Sequence, residues 1–132
     1  LVEVAGVENS EGTLVTAIGY PADQLPGGQK FIADYKAMFP NDEIASSFDA
    51  YAYDAAQAII RAAFDAAATV GADQLSSPAG RTAIIEGVAS GSFAGATGDF
   101  SFDANGDTNN TAITVYRIEG GEFVPFLLPD QF

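Results

Sequence analysis

The apolar positions of the chain switch from a two-residue period to a helical one and back again. Residues 13–18 (TLVTAI) are rich in β-branched side chains and end at Gly19-Tyr20-Pro21, which predicts a short strand running into a turn. After Pro26-Gly27-Gly28, the residues Phe31, Ile32, Tyr35, Met38 and Phe39 recur at helical spacing until Pro40, predicting a helix over 28–39. The longest element is expected over 49–70. There Tyr53, Ala56, Gln57, Ile60, Phe64 and Ala67 form one stripe, with Ile59, Ala63, Ala66 and Val70 beside it. Only Asp54, Arg61 and Asp65 mark a wet side, so this helix requires cover from more than one neighbour. Ser77 as N-cap before Pro78 opens a third helix, with Ile84, Ile85 and Val88 facing inward.

Residues 91–98 are mostly small and read as a loop. Phe100 and Phe102 then alternate with Ser101 in a strand that ends at Asp103-Ala104-Asn105-Gly106-Asp107. Residues 111–118 alternate as a strand, Glu119-Gly120-Gly121 makes a turn, and 122–128 form the hairpin partner. The expected class is α/β: three helices with short strands and a C-terminal hairpin. No internal repeat is visible.

Composition narrows the function classes. A chain of 132 residues, 48% hydrophobic, fits one modest domain. A formal net charge of -13 repels a phosphate backbone and an anionic lipid surface, which argues against nucleic-acid partners. The chain has neither cysteine nor histidine, so residue type alone excludes zinc hydrolases, Ser-His-Asp enzymes and Cys-His enzymes. Catalysis and a bound cofactor are therefore not expected. No apolar run approaches the roughly 18 residues that span a bilayer. The chain opens at Leu1-Val2-Glu3-Val4 without an initiator methionine or the regions of a signal peptide, and it reads as part of a longer protein.

Three stretches invite chemistry. The oxygen-rich corner 103–107 resembles a calcium loop, but an EF-hand needs glycine at its sixth position and glutamate at its twelfth, where Thr108 and Thr114 stand. An ordinary turn is the better reading. Asp49 with Asp54, and Asp99 with Asp103, are close in sequence, yet no feature nearby would separate their pKa values for acid and base work. The third stretch is Ser46-Ser47-Phe48-Asp49-Ala50-Tyr51-Ala52-Tyr53-Asp54-Ala55, at the mouth of the long helix. Unpaired backbone N–H groups there suit a small polar ligand, with aromatic faces over its apolar part. The competing reading makes Ser47 or Asp49 a cap, and Tyr51 and Tyr53 packing residues.

At this stretch the sequence becomes similar to a known family. The order SEGTLVT (10–16), FIADYKAMFP, AYAYDAAQAI (50–59), GATGDFSFDANGD (95–107) and TAITVYRI resembles the final third of branched-chain amino-acid (Leu/Ile/Val) binding proteins. These are type I periplasmic solute-binding proteins of ABC importers, with two α/β lobes joined by three crossings and closing over ligand. The resemblance implies a partial fold with incomplete lobes: 1–18 ending the second lobe, 19–110 in the first lobe with crossings, and 111–132 back in the second. Crossings fall near Gly19-Tyr20 and at 108–110. It also implies ligand contacts from Ser47, Phe48, Asp49, Ala50 and Tyr51, with Asp49 meeting an ammonium group and Phe48 and Tyr51 shaping the side-chain pocket. The Tyr53-Asp54 pair would be structural. Other family ligand residues lie earlier than this chain, so only part of a site is expected. The implied partners are an amino acid or analogue and a membrane permease. The implied location is periplasmic or extracellular, with lipoprotein anchoring of the full-length protein a further possibility. A ligand-sensing receptor domain of the same fold is the alternative. A fragment with such uncovered helices is expected to self-associate, as a dimer or by strand exchange.

Overall fold

A computed structural model of the chain describes residues 1–42 and 47–131. Its helices are Val2–Ala5 (α1), Val7–Ser10 (α2), Gly28–Met38 (α3), Ser47–Val70 (α4) and Pro78–Ser90 (α5). Its strands are Leu14–Ile18 (β1), Ser92–Gly95 (β2), Gly98–Ser101 (β3), Ile113–Glu119 (β4) and Glu122–Leu127 (β5). The mixed α/β class, three principal helices and the C-terminal hairpin agree with the sequence reading. The one-turn helices α1 and α2 lie where no element was expected.

These elements gather into two groups. In the first, β4 sits between β1 and β5 in a three-stranded antiparallel sheet. Thr16 faces Val115 across one ladder, and Glu119 faces Glu122 around the Gly120-Gly121 turn in the other. Thr114 and Ile118, four positions apart and so on the same face of β4, are fully buried. Ser10 is buried too, because its hydroxyl donates to the carbonyls of Gly6 at 2.9 Å and Val7 at 3.0 Å.

The second group is α3, α4, α5 and the β2–β3 hairpin. Ser77 caps α5 as expected, its Oγ accepting from the Gly80 N–H at 3.1 Å with Pro78 in the first turn. Along α4, Ala50, Asp54, Ala58, Ala62 and Ala66 recur every fourth residue and form the buried stripe. Small side chains let α5 approach so closely that a Cβ on Gly87 would lie 3.2 Å from that of Ala62. Phe93 and Phe100 stack at 5.3 Å between centroids and cluster with Ala58.

Several expectations are corrected here. Residues 91–98 are not a loop: β2 occupies part of them and pairs with β3, Phe93 opposite Phe100. Small residues hid the strand because hairpin pairing, not bulk, places it. Asp54 does not mark a wet side of α4; it is buried, for the reason given below. The stripe of Tyr53, Ile60 and Phe64 is not the covered one, Phe64 being 74% exposed. Ile85 is likewise exposed at 68% rather than turned inward. The physical reason is shared: alanine gives the closest helix approach, so the alanine face takes the neighbours and larger side chains stay outside. The result is an open molecule, with 8595 Å² accessible where a compact monomer of 13.6 kDa exposes roughly 6,600 Å².

Candidate functional site

The best-built polar feature is Asp54. One carboxylate oxygen accepts from the Ala96 N–H at 2.8 Å, and the other from the Thr97 N–H at 2.8 Å and the Thr97 hydroxyl at 2.7 Å. Three donors satisfy a charge that is only 3% exposed, and so the turn between β2 and β3 is fastened to α4. Gly95 is required there, since a Cβ would fall 2.3 Å from the carboxyl group. The far side of the turn holds α3, through the Gly27 N–H donating to the Ala96 carbonyl at 2.9 Å. This arrangement supports the structural reading of the Tyr53-Asp54 pair, whose tyrosine ring lies 5.3 Å from Phe31.

The proposed ligand residues take different places at the start of α4. Ser46 and the side chain of Ser47 lie outside the described residues. Phe48 is exposed. Asp49 is half-buried and lines a hollow of 480 Å³ between α3 and α4, with Phe31, Tyr35, Phe39 and Tyr53 among its walls. Ala50 has no exposed surface and packs with Leu25, Phe31 and Ala96. Tyr51 points elsewhere, into a smaller cavity of 150 Å³ shared with Thr97, Thr108 and Asn110. Asp49 and Tyr51 thus line separate hollows, although one helical turn carries both.

Tyr51 lies against the places where the chain passes between its two groups of elements. A Cβ on Gly19, whose φ is +81°, would sit 2.4 Å from the Tyr51 hydroxyl oxygen. The two passages are bound to each other: Gly19 N–H donates to the Ala112 carbonyl at 2.8 Å, and the Thr114 hydroxyl donates to the Gly19 carbonyl at 2.6 Å. The Tyr51 hydroxyl is shut from solvent with no hydrogen-bond partner of ordinary geometry. Burial pushes its pKa up, and nearby Asn110 opposes that shift. Sequence reasoning missed Asn110 and Thr97, which carry no motif; the hint for Asp54 was an acid in step with Ala50 and Ala58.

The corner 103–107 is a turn held by its own acid. Asp103 Oδ1 accepts from the backbone N–H groups of Asn105 at 2.8 Å and Asp107 at 2.9 Å. These bonds, Asp107 first and Asn105 next, keep its carboxyl below the ordinary range. Its oxygen is committed to the backbone, in keeping with the turn reading.

Comparison with known proteins settles the family. The periplasmic binding protein family model matches residues 1–122. The chain belongs to the periplasmic binding protein family. The family is one of periplasmic binding proteins. A search of curated proteins finds no sequence match. Among solved structures, the leucine-binding protein LivK of Thermotoga maritima is similar over 99% of this chain and 35% of its own, with 26% identity and TM-score 0.67. An ABC-transporter solute-binding protein of R. palustris, in complex with benzoate, aligns over 97% of this chain and 32% of its own, at 24% identity and TM-score 0.64. The branched-chain amino acid transporter substrate-binding protein LivJ of Streptococcus pneumoniae, in complex with isoleucine, aligns over 95% and 33%, at 20% identity and TM-score 0.62. The chain thus spans about a third of the length of these periplasmic binding proteins and carries part of their type I fold.

Proposed function

We propose that this chain forms part of the extracytoplasmic solute-binding component of an ABC importer, which captures an amino acid or related small polar molecule by lobe closure. The observation that carries this reading is the double passage of the chain at 18–21 and 108–112, tied together by Gly19, Ala112 and Thr114, beside the first turn of α4. Residues 1–18 and 111–132 then belong to one lobe and 19–110 to the other. A rotation about these passages moves one group of elements over the other without repacking either interior.

In this reading the start of α4 faces the cleft. Ser47, Phe48, Asp49, Ala50 and Tyr51 form one edge of the site: Asp49 receives an ammonium group, Phe48 covers the apolar part, and Ala50 and Tyr51 set the floor from within. Benzoate and isoleucine, bound by the R. palustris and Streptococcus proteins, both carry a carboxylate and an apolar body, which supports that ligand class. A membrane permease is the receiving partner. The test is a thermal-shift screen of the complete two-lobed protein against amino acids, small amides and aromatic acids. A rise of several degrees that disappears in an Asp49→Ala, Tyr51→Ala double variant supports the site, and an unchanged rise removes both residues from it.

The surplus of accessible surface belongs to the same proposal. Ile59, Ile60, Phe64 and Ile85 are left exposed on α4 and α5, and each such side chain gains about 1.5–3 kcal/mol on burial. The 132-residue chain by itself therefore self-associates. Sedimentation velocity at micromolar concentration is expected to show dimers or larger species; a purely monomeric profile contradicts it.

A further inference from the structure

The corner at 103–107 stands out by its residue types, and the solute-binding reading leaves it unused. Asn105 and Gly106 are both exposed there. Of the five asparagines in the chain only Asn105 is followed by glycine, which has no Cβ to shield its backbone nitrogen. Nothing lies within 4 Å of the point where a Cβ would stand on Gly106, so that nitrogen is open to approach. Other asparagine side chains are better held: Asn9 Nδ2 donates to the Ala5 carbonyl at 2.8 Å, and Asn109 Oδ1 accepts from the Ser101 N–H at 2.9 Å. Asn105 Nδ2 reaches Asp103 Oδ2 only at 3.4 Å, the far edge of hydrogen bonding.

We propose that Asn105 is a site of spontaneous modification: the backbone nitrogen of Gly106 attacks its side-chain amide carbon, and Asp103 restrains the reaction by holding the turn closed. In the ring-closing step the Gly106 N–H proton passes to solvent, that nitrogen bonds to Asn105 Cγ, the Cγ–Nδ2 bond breaks, and Nδ2 leaves as ammonia with a proton from water. A cyclic succinimide remains. Water then opens the ring, giving aspartate by addition at the backbone carbonyl's ring partner Cγ side of neither chain break, or isoaspartate when the main chain is left running through the former side chain. Solvent water is the sole co-reactant, and nothing is oxidised or reduced. Either product places a new carboxylate between Asp103 and Asp107. The restraint is visible in the turn: the Gly106 N–H donates to the Asp103 carbonyl at 3.0 Å and must leave it before it can lose a proton. Asp103 Oδ1 pins the neighbours on both sides, accepting from the Asn105 N–H at 2.8 Å and the Asp107 N–H at 2.9 Å. Exposed bonds of this kind open locally while the rest of the fold stays intact. Asp103 is thus a positioning residue for the reaction, and the inference uses this corner alone, apart from the two-lobe reading.

The test is peptide mapping by mass spectrometry of the 132-residue chain incubated at mildly alkaline pH, with isoaspartate and ammonia assayed alongside, beside the same chain unfolded in urea. Conversion confined to Asn105 is expected in the folded chain, with isoaspartate among the products and a rate below that in urea. Asp103→Ala should speed the folded chain about tenfold, the worth of two exposed hydrogen bonds, and leave the rate in urea unchanged. Asp103→Asn keeps a neutral acceptor and should fall between the two; it decides the matter if Asp103→Ala does not fold. Gly106→Ala, compared in urea where its positive φ imposes no strain, should slow conversion by shielding the nitrogen. A folded chain that keeps Asn105 intact while the unfolded chain loses it overturns the modification of the folded protein. Aspartate without isoaspartate overturns ring closure, and equal folded rates with and without the Asp103 carboxylate overturn its part as the restraint.

Discussion

The sheet and the helical group of this protein are assembled by opposite means. In the sheet, β1 pairs with a strand about a hundred positions away, Thr16 opposite Val115, and the ladder is made by backbone groups with β-branched side chains above it. In the helical group, α4 packs on α5, the next helix in the chain, and the core is mostly alanine, with one carboxylate joining α4 to a hairpin turn. The difference teaches that bulk of the apolar side chain did not select the buried face of α4. Closeness of approach did, and a charged residue on that face was kept because three donors met it.

Removing the carboxylate breaks the comparison most sharply. Asp54→Ala leaves the Ala96 and Thr97 donors without an acceptor and is expected to cost about 3 kcal/mol. Amide exchange should show protection falling in α4 and β2–β3 while β4–β5 retains it; uniform loss would mean that the two groups unfold as one. Gly95→Ala attacks the same junction from the other side and should cost about 2 kcal/mol by overpacking, read as a lower urea midpoint. Ser77→Ala removes the α5 cap, a smaller loss of about 1 kcal/mol confined to the helical group. On the sheet, Glu119→Gln weakens a half-exposed pair with Arg117 and should change stability by less than about 0.5 kcal/mol. The smallest effect is at the corner between the groups. Asp103 has a folded pKa depressed below 3.8, so its contribution is complete above that pH and is lost as pH falls through the lower folded value. An NMR titration should show the Asn105 and Asp107 amides losing protection in acid, with the β4–β5 ladder unmoved.

Much of the fold was legible in the chain. Pro26-Gly27-Gly28 and Pro40 bracketed α3, Ser77-Pro78 announced α5, and Glu119-Gly120-Gly121 announced the hairpin, because each signal is a local property of the backbone. The site was less legible. The aromatic and acidic start of α4 stood out by residue type, yet nothing in its spacing separated Asp49 from Tyr51, which line different hollows. Gly19 and Asn110 were legible only as places where the chain turns or crosses, and nothing in the sequence linked them, or Thr97, to the side chains of α4.

By itself the sequence determined the α/β class, the order of the principal elements and the absence of histidine and cysteine chemistry. These follow from local conformational preference and from side-chain inventory, which need no partner. Only the tertiary structure decided which face of α4 is buried, that Asp54 is a fastener, that residues 92–95 are a strand, and that Tyr51 sits beneath the chain's passages. Asp54 and Tyr51 meet groups more than 30 positions away, and even the nearer pairings, β2 with β3 and α4 with α5, join residues that have no trace in one another's local periodicity.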